Sequence, residues 1–314
     1  MTEPGTGGTA GPAGRAGPAG RADSRSGELL DARELALLAA SIARQAGALL
    51  LEHYEGSAPS DVVVASARTK STRTDLVTVA DRASEQLILD RLTQERPHDA
   101  VVAEEGGSRT GPSGLTWVVD PLDGTVNFVY GFPAFAVSIG CERAGERVAG
   151  AVYDPLRDEM FTAAAGAGAQ LNGMALQIGD GPPLGEALVA TGFGYSAGQR
   201  LEQARLLDTV LPAVRDIRRA GSASLDLCWL AAGRLDCLYE AGLAPWDFAA
   251  GALVVTEAGG DIDFLTGLPP GADTLVAGPT NLVRKLTELL RQAERAAGAS
   301  ARRARQAGDS TRAP

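Results

Sequence analysis

The stretch that most constrains this chain covers residues 117–128 and reads Trp-Val-Val-Asp-Pro-Leu-Asp-Gly-Thr-Val-Asn-Phe. Its apolar start predicts a buried strand ending at Asp120, with Pro121 stopping the ladder and Gly124-Thr125 opening a helix. Asp120 and Asp123 offer hard oxygen ligands, and the free N–H groups of a helix start favour an anion. A cation site beside an anion site suits hydrolysis of a phosphate ester with metal help. The run Asp-Pro-Leu-Asp-Gly also suits an ordinary solvated turn. The rest of the chain decides between the two.

Composition narrows the chemistry. At 314 residues the chain can bury a sizeable core, as one large domain or two joined halves. Cys141, Cys228 and Cys237 are the only cysteines and form no CxxC pair, which argues against a disulfide framework or a zinc knuckle. They are expected to be reduced and partly buried. With His53 and His98 the only histidines, a site built from several imidazoles is excluded, and carboxylates must carry the chemistry. No run of 18 or more apolar residues occurs, so no membrane span is expected. The start Met-Thr-Glu-Pro-Gly lacks the basic and apolar regions of a secretory signal, and the expected location is the cytoplasm. The net charge of -10 includes basic ends, about +1 over residues 1–27 and about +3 over 296–314, so the body lies near -14. Such a body repels nucleic acid over most of its surface, and no specific nucleic-acid partner is expected.

In chain order, residues 1–27 are Gly-, Ala-, Pro- and Arg-rich and predict a disordered tail. A folded domain follows over 28–296, with halves at about 28–185 and 186–296, before an Arg-rich disordered tail over 297–314. Leu35, Leu38, Ile42, Ala46 and Leu49 predict a long helix ending near Gly56, with Asp31 and Glu34 resembling a capping box. Residues 70–75 read as a flexible loop. Thr78 and Asp81 sit at the N-cap and first turn of a second helix, where Asp81 by itself reads as a capping carboxylate. A short strand over 100–103 delivers Glu104 and Glu105. Alternation over 136–140, 148–153 and 160–164 predicts an antiparallel meander.

Further strands are expected at 188–191, 235–240, 262–264 and 274–277, and helices at 201–214, 222–232, from Pro245 to Gly259, and at 281–296. The small residues between Arg219 and Ser224 admit a ligand close to the backbone, or simply make a tight helix start. Asp247 fits its helix as a dipole-stabilising carboxylate or as a metal ligand. The order suggests layered α/β packing in two halves rather than a simple doubly wound sheet.

Five separated pieces then match one pattern in one order. They are residues 70–81 with Asp75-Leu76-Val77-Thr78, then Ala103-Glu104-Glu105, residues 117–128, Gly221-Ser222-Ala223, and residues 240–247 leading into Pro245-Trp246-Asp247-Phe248-Ala249-Ala250-Gly251. From about residue 31 to 296 the chain resembles the inositol monophosphatases. The resemblance implies an αβαβα sandwich of the inositol monophosphatase and fructose-1,6-bisphosphatase type, lithium sensitivity and a homodimer. It implies hydrolysis of a small phosphorylated polyol, inositol monophosphate foremost, with two or three Mg²⁺ ions. Glu104, Asp120, Asp123, Asp247 and the Leu122 carbonyl would be metal ligands. Thr125 and Asp81, beside Glu104, would position and deprotonate the attacking water. The Gly124 and Thr125 amides would hold the phosphate. Gly221, Ser222, Ala223 and Glu240, with Asp123 and Asp247, would contact the substrate, and Lys70 would lie on a mobile loop.

Ala103 replaces the family's usual Gly, the loop before Trp117 is short, and Ser222 stands where Thr is common in the animal enzymes. None of these removes a ligand. The rival readings on this scaffold are phosphatases of histidinol phosphate, fructose 1,6-bisphosphate or a nucleotide 3′-phosphate. Outside enzymology, the rival is a regulatory RNA- or protein-binding module that retains the fold.

Overall fold

Leu35, Ala39, Ile42, Ala46 and Leu50 return every three or four residues along helix α1 (Ala19–Glu55), and all are buried. Such a stripe lays a helix on a sheet. The structure, a computed structural model, describes residues 19–55, 68–69, 76–77, 79–268 and 271–310. Helix α2 (Val79–Glu95) lies beside α1, and both cover an eight-stranded sheet. Its strands are β3 (Ala100–Ala103), β4 (Ser108–Arg109), β5 (Leu115–Asp123), β6 (Ala136–Arg143), β7 (Glu146–Asp154), β8 (Glu159–Ala164), β9 (Gly168–Leu171) and β10 (Met174–Ala175). The spatial order is β10-β9-β8-β7-β6-β5-β3-β4, in which only β3 and β5 pair in parallel. From β5 to β10 the strands follow one another as the expected meander, lengthened by β9 and β10. A separate small ribbon pairs β1 (Arg68–Thr69) with β2 (Leu76–Val77).

A second sheet has the order β12-β11-β13-β15-β14, from β11 (Leu188–Thr191), β12 (Asp216–Arg218), β13 (Cys237–Ala241), β14 (Asp261–Leu265) and β15 (Thr274–Gly278). Helices α5 (Ala223–Ala231) and α6 (Pro245–Glu257) fill the space between the two sheets, while α4 (Ala197–Val210) and α7 (Thr280–Ser310) cover the outer face of the second. The short α3 (Thr125–Val129) follows β5 directly. The buried side chains form three cores, one under α1 and α2, one between the sheets, and one under α4 and α7. This is the αβαβα sandwich that the resemblance implies.

The middle layer approaches the first sheet closely because two strand positions lack side chains. A Cβ on Gly140 would stand 2.9 Å from the Ala249 Cβ, and one on Gly150 would stand 3.0 Å from the Ala250 Cα. The first turns of α6 therefore lie directly on β6 and β7. That contact sets where α6 begins, and so where Asp247 points.

Three local expectations change. Helix α1 begins at Ala19 and α7 runs to Ser310, so helix extends into both stretches read as disordered tails. Ala and Arg dominate the C-terminal extension, and both elongate an existing helix at little cost. Asp31 is consequently inside α1 rather than its cap, and its carboxylate accepts from Arg143 on β6. Pro121 does not end its strand: β5 continues to Asp123, with the register to β6 shifting between Asp120 and Asp123. A ladder irregularity is a position where a strand tolerates proline, which has no N–H to donate.

Between Asp31 and Tyr54, α1 is long and apolar enough to cross a membrane by length and composition, with a mean hydropathy of 1.4. Its buried face is spent on the eight-stranded sheet, which makes it a core helix.

Candidate active site

The parallel pairing of β3 with β5 aligns Ala103 with Val119, so the next residues along each strand, Glu104 and Asp120, leave the sheet side by side. The Glu104 N–H still donates to the Val119 carbonyl, at 3.2 Å. Glu85 of α2 then shapes the turn beyond, accepting from the Glu105 and Gly107 amides at 2.8 and 3.1 Å. Asp120 is buried, and its Oδ1 accepts from the Leu122 amide at 3.1 Å, which carries the chain around Pro121. The Ser84 hydroxyl donates to the Pro121 carbonyl at 2.8 Å. That bond ties this turn to α2, the helix that also holds the fully buried Asp81.

Gly124 has φ 92°, and a Cβ there would stand 2.8 Å from the Ala134 carbonyl oxygen. Only glycine meets both conditions easily. The left-handed residue turns the chain from β5 into α3, placing the Thr125 hydroxyl 3.0 Å from the Leu122 carbonyl and 3.4 Å from Asp81 Oδ2. One hydroxyl has one proton, and here the nearer carbonyl receives it. The Asp81 contact is longer than an ordinary O–H···O bond.

Asp123 is held from the second half of the chain. Its Oδ2 accepts from the Ser222 hydroxyl at 2.6 Å, the Ser224 hydroxyl at 2.5 Å and the Ser224 amide at 2.8 Å, all at the start of α5. Asn127 of α3 fixes the segment before it, donating to the carbonyls of Ala134 at 2.7 Å and Ala220 at 2.9 Å. At the start of α6, Asp247 Oδ2 accepts from the Ala244 amide at 2.6 Å while its own amide donates to the Ala244 carbonyl at 3.1 Å. Asp247 thus lies in the first turn of α6, where the sequence placed it as a dipole-stabilising carboxylate, and one of its oxygens also caps the helix start. Using one oxygen for such bonds leaves a carboxylate able to ligate a cation through the other.

The charges of these groups act on one another. Burial pushes Asp120 well above the usual carboxylate range, and Glu104, Asp123, Asp247 and Asp81 push it further. Burial also raises Asp123, against the lowering effect of its Ser222 and Ser224 hydrogen bonds. Asp247 is pushed up to about 8, by burial first and by the Asp123 charge next. Glu240, at the end of β13, rises to about 7 by burial, with Arg219 opposing. No three Asp, Glu, His or Cys side chains among the described residues form a closed metal cage. Adjacent carboxylates repel by roughly 4 kcal/mol at about 4 Å and an effective dielectric of about 20, which holds an uncompensated set apart. The donor set fits a hard divalent cation, since it offers carboxylate and carbonyl oxygens with neither thiolate nor imidazole.

A cleft of about 170 Å³ opens over this region, lined by Asp123, Gly124, Gly221, Ala223, Glu240 and Asp247, with Arg219 also on its wall. It is smaller than a drug-sized pocket and suits a small ligand. Larger hollows of about 400 and 610 Å³ flank α1 but contain none of the expected site residues. Ser222 is buried and committed to Asp123, so its side chain supports a carboxylate rather than facing the cleft. Lys70, with Asp75 and Thr78, lies outside the described residues. Sequence reasoning assigned no role to Ser84, Asn127, Gly192 or Ser224. Of these, only Ser224 stood in a segment singled out for its small residues.

A layered sandwich with carboxylates gathered at strand ends and helix starts defines a class, the αβαβα phosphatases. The model of the inositol monophosphatase family matches residues 31–301, and the chain belongs to that family. It is 50% identical over 218 residues to the inositol-1-monophosphatase SuhB of Mycobacterium tuberculosis (strain ATCC 25618 / H37Rv), covering 67% of this chain and 75% of that one. It is 42% identical over 232 residues to the Nus factor SuhB of Escherichia coli (strain K12), covering 73% and 85%. The solved structure of Mycobacterium tuberculosis SuhB superposes with a TM-score of 0.70 at 40% identity, covering 83% of this chain and 97% of that one.

Proposed function

We propose that this protein hydrolyses small phosphate monoesters, inositol monophosphate foremost, with Mg²⁺ bound between β5, α5 and α6. The observation that carries the reading is the convergence of Asp120, Asp123, Asp247 and Glu104 beside the Gly124-Thr125 turn, close enough that Glu104, Asp123 and Asp247 all raise the Asp120 carboxyl and Asp123 raises Asp247. Glu104, Asp120, Asp123, Asp247 and the Leu122 carbonyl hold the ions. When bound, they supply Lewis acidity at the phosphate and a more acidic water.

The chain's own groups do the rest. The Gly124 and Thr125 amides receive the phosphate at the start of α3. Thr125 accepts a proton from the attacking water as it passes its own to Asp81, a transfer that closes the 3.4 Å contact. Glu240 accepts hydrogen bonds from substrate hydroxyls, and Gly221 and Ala223 keep the wall narrow. Lithium inhibition, a cytoplasmic location and a homodimer accompany this reading.

The test is phosphate release from a panel of esters, compared by kcat/KM with saturating Mg²⁺ and with a chelator. Inositol 1-phosphate should lead the panel, and activity should vanish without the cation. Absence of release from every ester at saturating Mg²⁺ would overturn the reading.

A second reading rests on the relative named a Nus factor, 42% identical over 232 residues. In it the protein also binds a transcription complex. Association of the catalytically silenced protein with purified transcription machinery would support it, and absence of binding would count against it.

A further inference from the structure

Asp120 ends an interior strand, Asp123 is held by three donors and Asp247 lies in the first turn of a helix, but Glu104 stands at the tip of a hairpin on the sheet's edge. Strand β4 is outermost there and pairs with β3 only through Val101 with Arg109 and Val102 with Ser108. So short a pairing holds little by itself. The tip is closed by the Ala103 amide, which donates to the Gly107 carbonyl at 2.9 Å. Glu85 of α2 then ties the tip to the body. Its side chain is buried, and both of its oxygens are used, Oε2 by the Glu105 amide at 2.8 Å and Oε1 by the Gly107 amide at 3.1 Å. A Cβ on Gly107 would stand 2.5 Å from the Leu89 Cδ1 and 3.0 Å from Glu85 Oε1, so the glycine is what admits α2 this close.

A buried carboxylate is costly unless it is well hydrogen-bonded, and the Glu105 and Glu104 charges beside it add repulsion. The two amide bonds offset that cost, and they fall on the residue after Glu104 and on the residue that closes the tip. One turn of α2 thereby holds both strand ends that carry expected ligands. Ser84 donates to the Pro121 carbonyl at 2.8 Å, between Asp120 and Leu122, and the next residue, Glu85, grips the far side of Glu104. We infer that Glu85 is a positioning residue: by holding the Glu105 and Gly107 amides it keeps Glu104 beside Asp120 at the spacing a shared cation needs, and so sets the affinity for that cation. This rests on the cation site proposed above and goes beyond it by naming a residue whose own oxygens are committed to amides.

The test is Mg²⁺ binding to the full chain by calorimetry, without substrate, together with the rise in Tm that Mg²⁺ produces. Glutamine has one oxygen and sets an NH₂ against the second amide. Glu85→Gln should therefore raise the Kd for Mg²⁺ by about 10- to 100-fold, the range for groups that orient a ligand, and shrink the Tm rise accordingly. Glu85→Asp keeps the charge and both oxygens but draws them back from the amides, and should also weaken binding; where Glu85→Gln does not fold, it carries the comparison. Glu257→Gln is the structural control. At the far end of α6 from Asp247, Glu257 makes the same kind of clamp, accepting from the Gly166 and Gly168 amides at 2.8 Å each. Its loss should lower the Tm while leaving the Mg²⁺ Kd near wild type. An unchanged Kd in Glu85→Gln would overturn the inference, as would equal weakening in Glu257→Gln. So would a near-wild-type Kd in Glu85→Asp, which would assign the effect to charge rather than to place. In all three cases the wild type binds Mg²⁺ and the phosphatase reading stands. A wild type that binds no Mg²⁺ defeats the proposed cation site first, and this inference with it.

Discussion

The Ser222 hydroxyl donates to the Asp123 carboxylate at 2.6 Å, joining residues 99 positions apart in the chain. With the two donors from Ser224 it fixes one oxygen of Asp123 and aims the other. An asparagine at 123 can still accept those bonds through its single oxygen, but then turns its NH₂ toward the cation site. Asp123→Asn should therefore fold normally and lose turnover by more than the roughly 100-fold typical of an outer-shell change. Near-wild-type kcat in saturating Mg²⁺, with an unchanged circular dichroism spectrum, would count against the assigned ligand set.

Ser224 offers a milder disturbance of the same carboxylate. Ser224→Ala removes its hydroxyl donor and keeps its amide donor. Second partners of ligand carboxylates are worth about 10- to 100-fold in metal affinity or activity. The half-saturating Mg²⁺ concentration should rise by that order, and excess Mg²⁺ should restore much of kcat. A fall in kcat that Mg²⁺ cannot restore would mean that Ser224 acts on something other than the cation site.

The raised carboxylates link stability to pH. Asp247 has an ordinary value of 3.8 and is held up to about 8 in the fold, by burial and then by Asp123. The folded state thus binds a proton that the unfolded chain has released. Its contribution favours folding most at or below pH about 4, declines as pH rises through the window, and is lost above about 8. Asp120 and Asp123 shift in the same direction. Mg²⁺ bound as proposed would compete with those protons, so its stabilising effect should grow across the same window. Thermal unfolding in chelator from pH 5 to 9 should show a falling Tm, with a flatter profile for Asp247→Asn and a rescue by Mg²⁺ that is largest at high pH. A cation-independent Tm across that range would refute the linkage.

What was legible in the chain follows from how local each signal is. The carboxylates Asp120, Asp123 and Asp247 stood next to Pro, Gly or Trp in short motifs, and their placement at strand ends and helix starts could be read from those neighbours. The support around them could not. Ser84 meets Pro121 across 37 positions, and Asn127 meets Ala220 across 93, so no window of sequence contains either pair. Strand β12 (Asp216–Arg218) was missed because a three-residue edge strand with mostly exposed side chains shows no alternation. Pro121 misled because a proline inside a buried strand reads as a stop unless the ladder shift beside it is known. Asp31 misled likewise, since a helix start is indistinguishable in sequence from a capping pattern inside a longer helix.

Gly192 has no special backbone angle, yet it decides where Glu240 lies. A Cβ on Gly192 would stand 1.7 Å from Glu240 Oε1 and 2.0 Å from its Cδ. Gly192→Ala should push the carboxylate out of its place on the cleft wall while leaving Asp120, Asp123 and Asp247 undisturbed. Misplacing one hydrogen-bonding group corresponds to about 10-fold in binding. KM for a polyol phosphate should rise by that order, with a smaller change in kcat and little change for p-nitrophenyl phosphate, which has no hydroxyls for Glu240 to read. Equal effects on both esters would show that Glu240 supports the fold of the site rather than the substrate.

Gly140 controls the site from beneath. It faces the start of α6 at a distance where an added Cβ would stand 2.9 Å from the Ala249 Cβ and 3.2 Å from the Ala250 amide nitrogen. Because backbone lies behind that contact, the strain cannot be relieved by turning a flexible side chain. Gly140→Val should cost about 1–3 kcal/mol by overpacking and lift α6 from β6. Asp247 is two residues before Ala249, so the displacement reaches the cation site directly. Weakened Mg²⁺ activation should accompany the lowered Tm. The control is Ala149→Val on neighbouring β7, a fully buried position under α1, the opposite face of the sheet. It should lower the Tm comparably while leaving the Mg²⁺ dependence near wild type. Equal loss of Mg²⁺ response in both variants would show that general destabilisation, rather than the seat of α6, governs the site.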